Sequence, residues 1–70
     1  MEMNDIEAEV YDFIVKYRSD HQISPSQREI AEGTYHSLGS VHRTVATLLQ
    51  KGYLRIAPMQ HRNLVPVHSD

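Results

Sequence analysis

The sequence contains no cysteine, which excludes disulfide bonds and thiolate metal sites. No apolar run approaches the roughly 20 residues that a membrane-spanning helix needs, and the acidic N-terminus MEMNDIEAEV does not resemble a signal peptide. Glycine is scarce, with three residues, and the chain has no glycine-rich loop that would cradle a phosphate group. These absences predict a cytoplasmic protein with no membrane partner.

Residues with catalytic chemistry are present but scattered. His36 and His42 are six positions apart, which differs from the three- or four-residue spacing of a helical metal-binding pair. The serines lie outside any nucleophile-elbow context. Glu7 and Glu9 are interpreted as acids in the first turns of a helix, where the helix dipole favours them. We therefore predict that the chain is not an enzyme and binds neither a metal ion nor a cofactor.

The net charge of −2 conceals a strong polarity along the chain. Eight of the nine acidic residues lie at or before Glu32, and the segment from Gly33 to Ser69 contains none. That segment carries basic residues and four histidines, so the C-terminal half is the basic half. Such asymmetry predicts a polyanionic partner on one side of the molecule. The alternative is chance segregation of charge in a small protein.

The apolar spacing predicts three helices within a single domain, residues 1–70. Helix 1 is expected from about Asp5 to Ser19, capped by Asn4 or Asp5, because Ile6, Val10, Phe13, Ile14 and Tyr17 form one helical stripe. Residues 20–22 are expected to form a loop. Off the stripe, Tyr11 and Val15 would pack against a later strand or against a second subunit.

Helix 2 is expected from about Gln27 to Glu32, since Ser26 and Glu29 have the spacing of a capping box. Gly33 is expected to end it in the left-handed region. Residues 34–36 then form a turn, and Ser37 caps helix 3, which runs to about Lys51 before Gly52. The apolar stripe of helix 3 consists of Leu38, Val41, Val45, Leu48 and Leu49.

The periodicity changes after helix 3. Residues 53–57 alternate, residues 63–67 favour a strand, and residues 58–62 lie between them, which predicts a β-hairpin with Pro66 on an edge strand. The predicted fold is α+β and mostly helical: a winged helix-turn-helix of three helices followed by a two-stranded β-hairpin wing. The third helix of this arrangement fits a DNA major groove.

The face of helix 3 opposite its apolar stripe carries Gly39, Ser40, Arg43, Ala46, Thr47 and Gln50. Arg43 could contact a guanine edge, Gln50 an adenine, and Thr47 a base or a phosphate. The backbone N–H groups from Ser37 to Ser40 would face a phosphate. The predicted phosphate contacts of helix 2 and the wing are Ser26, Arg28, Arg55, His61 and Arg62.

The stretches EVYDFIVKYRSDHQISPSQREIA and SVHRTVATLLQKGYLRI resemble the N-terminal DNA-binding domain of the LexA repressor family, over about Glu9 to Val67. The resemblance implies a winged helix whose third helix reads an operator. Carried over to this chain, it implicates Ser37, Gly39, Ser40, His42 and Arg43.

The chain also departs from the family pattern. The residues from Ser37 to Arg43 differ from the usual reading residues, the inter-helix turn is one residue shorter, and the wing lacks glycine. The self-cleaving protease half is absent. These departures predict a different operator, no control by self-cleavage, and a small regulator of the phage or mobile-element type.

Two partners are expected besides double-stranded DNA. A single winged helix makes few contacts, which predicts a homodimer on a palindromic site. The alternative function is a protein-binding winged helix that modulates another protein through an acidic helix 1. That acidic surface would consist of Glu2, Asp5, Glu7, Glu9 and Asp12.

Overall fold

A computed structural model describes residues 3–57 and 64–67. Three helices, α1 (Asp5–His21), α2 (Gln27–Thr34) and α3 (Leu38–Lys51), are followed by two short strands, β1 (Leu54–Ile56) and β2 (Leu64–Pro66). The predicted fold class, a mostly helical winged helix-turn-helix, is confirmed. No helix in the described part of the chain has the length and apolar character needed to cross a membrane.

One apolar core joins all five elements. Val10 and Ile14 of α1 are completely buried, as their place in the predicted stripe requires. Val41 and Leu48 of α3 meet them, with Ile30 of α2 between the two longer helices. The strands add one apolar side chain each. The other buried apolar residues are Val45, Leu54 and Leu64.

Helix α1 begins as predicted but ends two residues later. Asn4 is its N-cap, and the Asn4 and Glu7 side chains form a capping box. The segment at residues 20–22 is not a loop, because the helix continues to His21. It ends at Gln22, which adopts a left-handed conformation with φ 65° while its N–H donates to the Arg18 carbonyl. A non-glycine residue in this conformation gives no sequence signal comparable to glycine.

The prediction that Gly33 ends α2 in the left-handed region is wrong. Gly33 lies within the helix, and Tyr35 is the left-handed C-cap, with φ 61°. The glycine is needed for space, because the ring of Phe13 from α1 lies against it. A Cβ added at Gly33 would lie 2.6 Å from Cζ of Phe13. Close approach of two helices, and not a turn, therefore explains this glycine.

The two strands pair antiparallel, with Arg55 opposite Val65 in the centre. Helix α1 holds this sheet from the side: Arg18 Nη1 donates to the Leu64 carbonyl at 3.3 Å. The rings of Tyr11 and Tyr53 meet edge to face, with centroids 6.4 Å apart, so Tyr11 packs directly before β1. Val15 is 37% exposed. The predicted connecting segment, residues 58–62, lies outside the described residues.

Candidate nucleic-acid interface

Helix α3 separates two chemically different faces. Val41, Val45 and Leu48 are buried, and Thr44 joins them as a buried polar residue. The opposite side is exposed and holds the predicted reading positions, since steps of 100° per residue bring them to one side. These exposed positions are Gly39, Arg43, Ala46 and Gln50. The structure therefore places this set on the outer surface of the molecule.

The first turn of α3 is fixed by its N-cap residue. The Ser40 N–H donates to Ser37 Oγ at 3.1 Å, which confirms Ser37 as the N-cap. Ser37 is exposed and Ser40 is half-buried. The remaining N–H groups of this turn point out of the helix N-terminus, where the dipole favours an anion.

Arg43 folds back over this first turn. Its Nη2 lies 3.4 Å from Ser40 Oγ and donates to it. The Arg43 guanidinium also lies beside Gly39, with Nη1 3.6 Å from the position that a Cβ on this glycine would take, which is an ordinary van der Waals distance. One turn further along, Thr47 Oγ1 donates to the Arg43 carbonyl at 3.0 Å. The guanidinium is thus held at the end of α3 that a major groove would receive first.

An open groove runs between the N-termini of α2 and α3. Its walls are formed by Ser26, Gln27, Arg28, Leu38, Gly39 and His42. His42 Nδ1 and Gln27 Oε1 are 3.2 Å apart and connect the two walls. The groove therefore contains four of the predicted DNA contacts, and its two charged or titratable members are basic in type.

The start of α2 is fixed by a complete capping box. The Ser26 N–H donates to Glu29 Oε1 at 2.7 Å, and the Glu29 N–H donates to Ser26 Oγ at 3.1 Å. Tyr17 of α1 donates from its hydroxyl to Glu29 Oε2 at 3.2 Å. Burial of Tyr17, and then its hydrogen bond to Glu29, raise the pKa of the tyrosine above its usual value. Helix α1 thus supports the N-terminus of α2 directly.

Of the three DNA contacts predicted in the wing, one lies within the described residues. Arg55 lies in the middle of β1 and is exposed. His61 and Arg62 lie outside the described residues. Arg28, on the outside of α2, is exposed as well.

Two acidic residues of α1 are engaged within the molecule. Glu7 is only 5% exposed and accepts from Lys51 Nζ at 3.1 and 3.3 Å. The backbone N–H of Asn4 and then Lys51 hold the pKa of Glu7 below its usual value. Glu9 Oε1 lies 2.6 Å from Nε2 of His36, in the turn before α3. Glu7 is an acid in the first turn of α1 as predicted, but its assignment to the acidic surface of helix 1 is wrong.

Three residues in or near the interface were missed or misassigned from the sequence. Gln27 follows directly after the Ser26 cap, and its position as the first residue of α2 could have identified it. Leu38 was assigned to the apolar stripe, but it is 48% exposed because it lies beyond the end of the core. Tyr35, in the turn, is 94% exposed, and no periodicity marks it.

A metal site has no support within residues 3–57 and 64–67, where no three potential ligands among His, Asp and Glu share a position for an ion. Of the three histidines in the described region, His21 lies against Tyr17 of its own helix, and the other two are paired with side chains of other elements. His36 lies against Glu9, and His42 against Gln27.

Comparison with known proteins agrees with this geometry. The family model described as the LexA DNA binding domain matches residues 2–63. The LexA repressor of Koribacter versatilis (strain Ellin345) is 44% identical over 48 residues, which make up 67% of this chain. The same region is 23% of that repressor, so the chain spans less than a quarter of the relative that it matches.

Proposed function

Since this chain belongs to the LexA DNA binding domain family, we propose that it is a sequence-specific, double-stranded DNA-binding transcriptional regulator that acts as a repressor. The observation that carries the proposal is the exposed face of α3, with Arg43 held over its first turn. The relative from Koribacter versatilis is a repressor by name, which supports the direction of regulation.

In this proposal α3 enters the major groove with its N-terminal half first. Arg43 donates two hydrogen bonds to O6 and N7 of a guanine, and Gln50 reads an adenine. Gly39 and Ala46 are small, so the helix backbone can approach the DNA closely between these side chains. Ser40, which holds Arg43 in the free protein, and Thr47 contact a base or a phosphate.

The remaining contacts position the domain on the DNA backbone. Ser26 and Arg28 at the start of α2 lie against one phosphate, and the N–H groups at Ser37 and Gly39 lie against another. Arg55 and the further wing residues His61 and Arg62 bind the backbone beside the groove. Neutralising about five phosphates gives a slope of log K against log salt near −4 to −5.

Two copies on a palindromic site would supply the specificity that one small domain lacks. The dimer contact involves α1, the wing, or the side chains of Tyr11 and Val15. Of these two, Tyr11 already packs on Tyr53, and Val15 is the more exposed.

The test is selection from a random double-stranded DNA library, followed by titration of the selected sequence at low and high salt. The proposal expects a palindromic motif and binding that weakens steeply with salt. Sedimentation of the complex then gives the number of protein copies per site. Failure to enrich any sequence, with only weak salt-sensitive association, would contradict the proposed function.

For the alternative, a protein partner bound to acidic α1, the structure removes one of the five candidate residues, Glu7. Glu7 is buried against Lys51, and Glu2 lies outside the described residues. Of the five candidates, Asp5, Glu9 and Asp12 are exposed, and Glu9 also lies against His36. A matched pair of variants distinguishes the two functions: Arg43→Ala removes DNA binding, whereas Asp12→Lys removes an acidic-face interaction and leaves DNA binding intact.

A further inference from the structure

Leu38 is a large apolar side chain that faces a polar groove. It is the first residue of α3, it is 48% exposed, and it lines the groove between α2 and α3. Its neighbours there are Gln27, Arg28 and His42. A single exposed leucine needs no explanation by itself, so its position among groove-lining residues is the informative observation.

The core does not account for Leu38. Seven partly buried apolar residues pack against the buried core cluster in the described part of the chain, and Leu38 is not one of them. The buried face of α3 starts three residues later, at Val41. About half of Leu38 therefore remains exposed and available to a ligand.

We infer that Leu38 contacts the C5-methyl group of a thymine in the operator and selects for that base. The inference rests on the proposed function and adds a specificity-determining residue to it. The N-terminal residues of a recognition helix are those that reach base edges. In the major groove, the thymine methyl is the apolar group on a base-pair edge, and apolar side chains recognise it.

The surroundings of Leu38 suit this contact. Gly39, the next residue, has no side chain, and the Arg43 guanidinium lies beside it, so Leu38 and Arg43 can approach neighbouring bases. Gln27 and His42 contact each other at 3.2 Å, which fixes both walls of the groove around Leu38. Arg28 also lines the groove and is exposed, so it can contact a phosphate of the same DNA. Leu38 is thus the one large apolar side chain among the described residues that line this groove.

The experiment replaces each thymine of the selected operator, one at a time, by deoxyuridine, which removes only the methyl group. Wild-type protein should bind one such operator about fourfold more weakly, the effect expected for one buried methyl group. Leu38→Ala and Leu38→Gln should bind the methylated and unmethylated forms of that operator equally. The glutamine variant keeps the side-chain length but replaces the apolar end by an amide.

Ile23→Ala is the matched control, because it also shortens an exposed aliphatic side chain, and Ile23 does not line the groove. It should keep the fourfold methyl effect, and thermal unfolding should show that all variants fold. Two results would exclude the contact between Leu38 and a thymine methyl. One is that each deoxyuridine substitution weakens binding equally in wild type and in both Leu38 variants; the other is that no deoxyuridine substitution weakens binding of the wild type. If an operator is enriched but either of these results is found, only the inference about Leu38 is wrong. If no operator is enriched, the proposed function is wrong as well.

Discussion

Lys51 Nζ lies 3.1 Å from Glu7 Oε1, so the last turn of α3 is joined to the first turn of α1. The two residues are 44 positions apart in the sequence. Glu7 also accepts from the Asn4 N–H, so one carboxylate both caps α1 and fixes α3 against it. The orientation of the proposed recognition helix therefore depends on a residue of helix 1.

We expect Glu7→Gln to lower the thermal unfolding midpoint, because Lys51 loses its carboxylate partner and the cap is weakened. Lys51→Met should lower it as well. In a double-mutant cycle the two effects should be less than additive, since both variants break the same pair. Strict additivity would show that the pair contributes nothing of its own.

The same carboxylate predicts acid sensitivity. The pKa of Glu7 is lowered in the folded protein, so its contribution to stability is present above the ordinary glutamate pKa of about 4.3 and disappears as pH falls through the folded value. The free energy of unfolding of wild type and Glu7→Gln should therefore differ at neutral pH and converge in strong acid. Denaturant titrations across that range measure the difference, and a constant difference would contradict the assignment.

Gly33→Ala should destabilise the protein although alanine is the better helix former. The added Cβ overlaps the Phe13 ring, and overpacking of this kind costs about 1–3 kcal/mol. In a Phe13→Ala background the same substitution should stabilise by up to about 1 kcal/mol. Denaturant unfolding of the four proteins gives the comparison; the same sign in both backgrounds would disprove the steric explanation.

Tyr17 should titrate above the ordinary tyrosine pKa, because burial and the Glu29 carboxylate both disfavour tyrosinate. Glu29→Gln should shift the Tyr17 pKa back toward its usual value, and the remaining difference is the effect of burial. Tyrosinate absorbance against pH measures both, with Tyr17→Phe identifying its contribution. An unchanged titration in Glu29→Gln would remove the carboxylate as a cause.

Arg43→Ala should weaken operator binding by about 1–3 kcal/mol and relax the preference for one guanine, as expected for loss of a bidentate contact. Arg43→Lys should restore charge but not this preference, because lysine lacks the planar fork. Lys16→Ala, which removes an exposed charge from α1, is the control for net charge. If operator titrations show the same loss of affinity for Arg43→Ala and Lys16→Ala, Arg43 acts only through its charge and makes no base-specific contact.

Local patterns in the sequence were sufficient for the elements and most of the core. The spacing of Val10 and Ile14, and of Val41 and Leu48, reports which helix faces are buried, because burial follows the helical period. The Ser26–Glu29 capping box is a short-range interaction, and it was predicted from four consecutive residues. The start of α2 was therefore predicted correctly. The position of its end was not.

Features that depend on contacts between residues distant in the sequence could not be predicted from it. Gly33 looks like a helix terminator until Phe13 is seen beside it, and Tyr35 takes the left-handed position instead. Leu38 fits the apolar period, but the core ends before it. Spacing along one helix cannot show where the packing partner stops.

The two faces of α3 also bear on how proteins of this kind acquire new targets. Gly39, Arg43, Ala46 and Gln50 are exposed, and the residues that hold α3 in place are others. Substitutions at these four positions are therefore nearly free of a folding penalty, since exposed sites usually tolerate change. Under the proposed function, a lineage can exchange one operator for another through these positions while the rest of the domain remains intact. The same separation makes this small fold a starting point for retargeting by design.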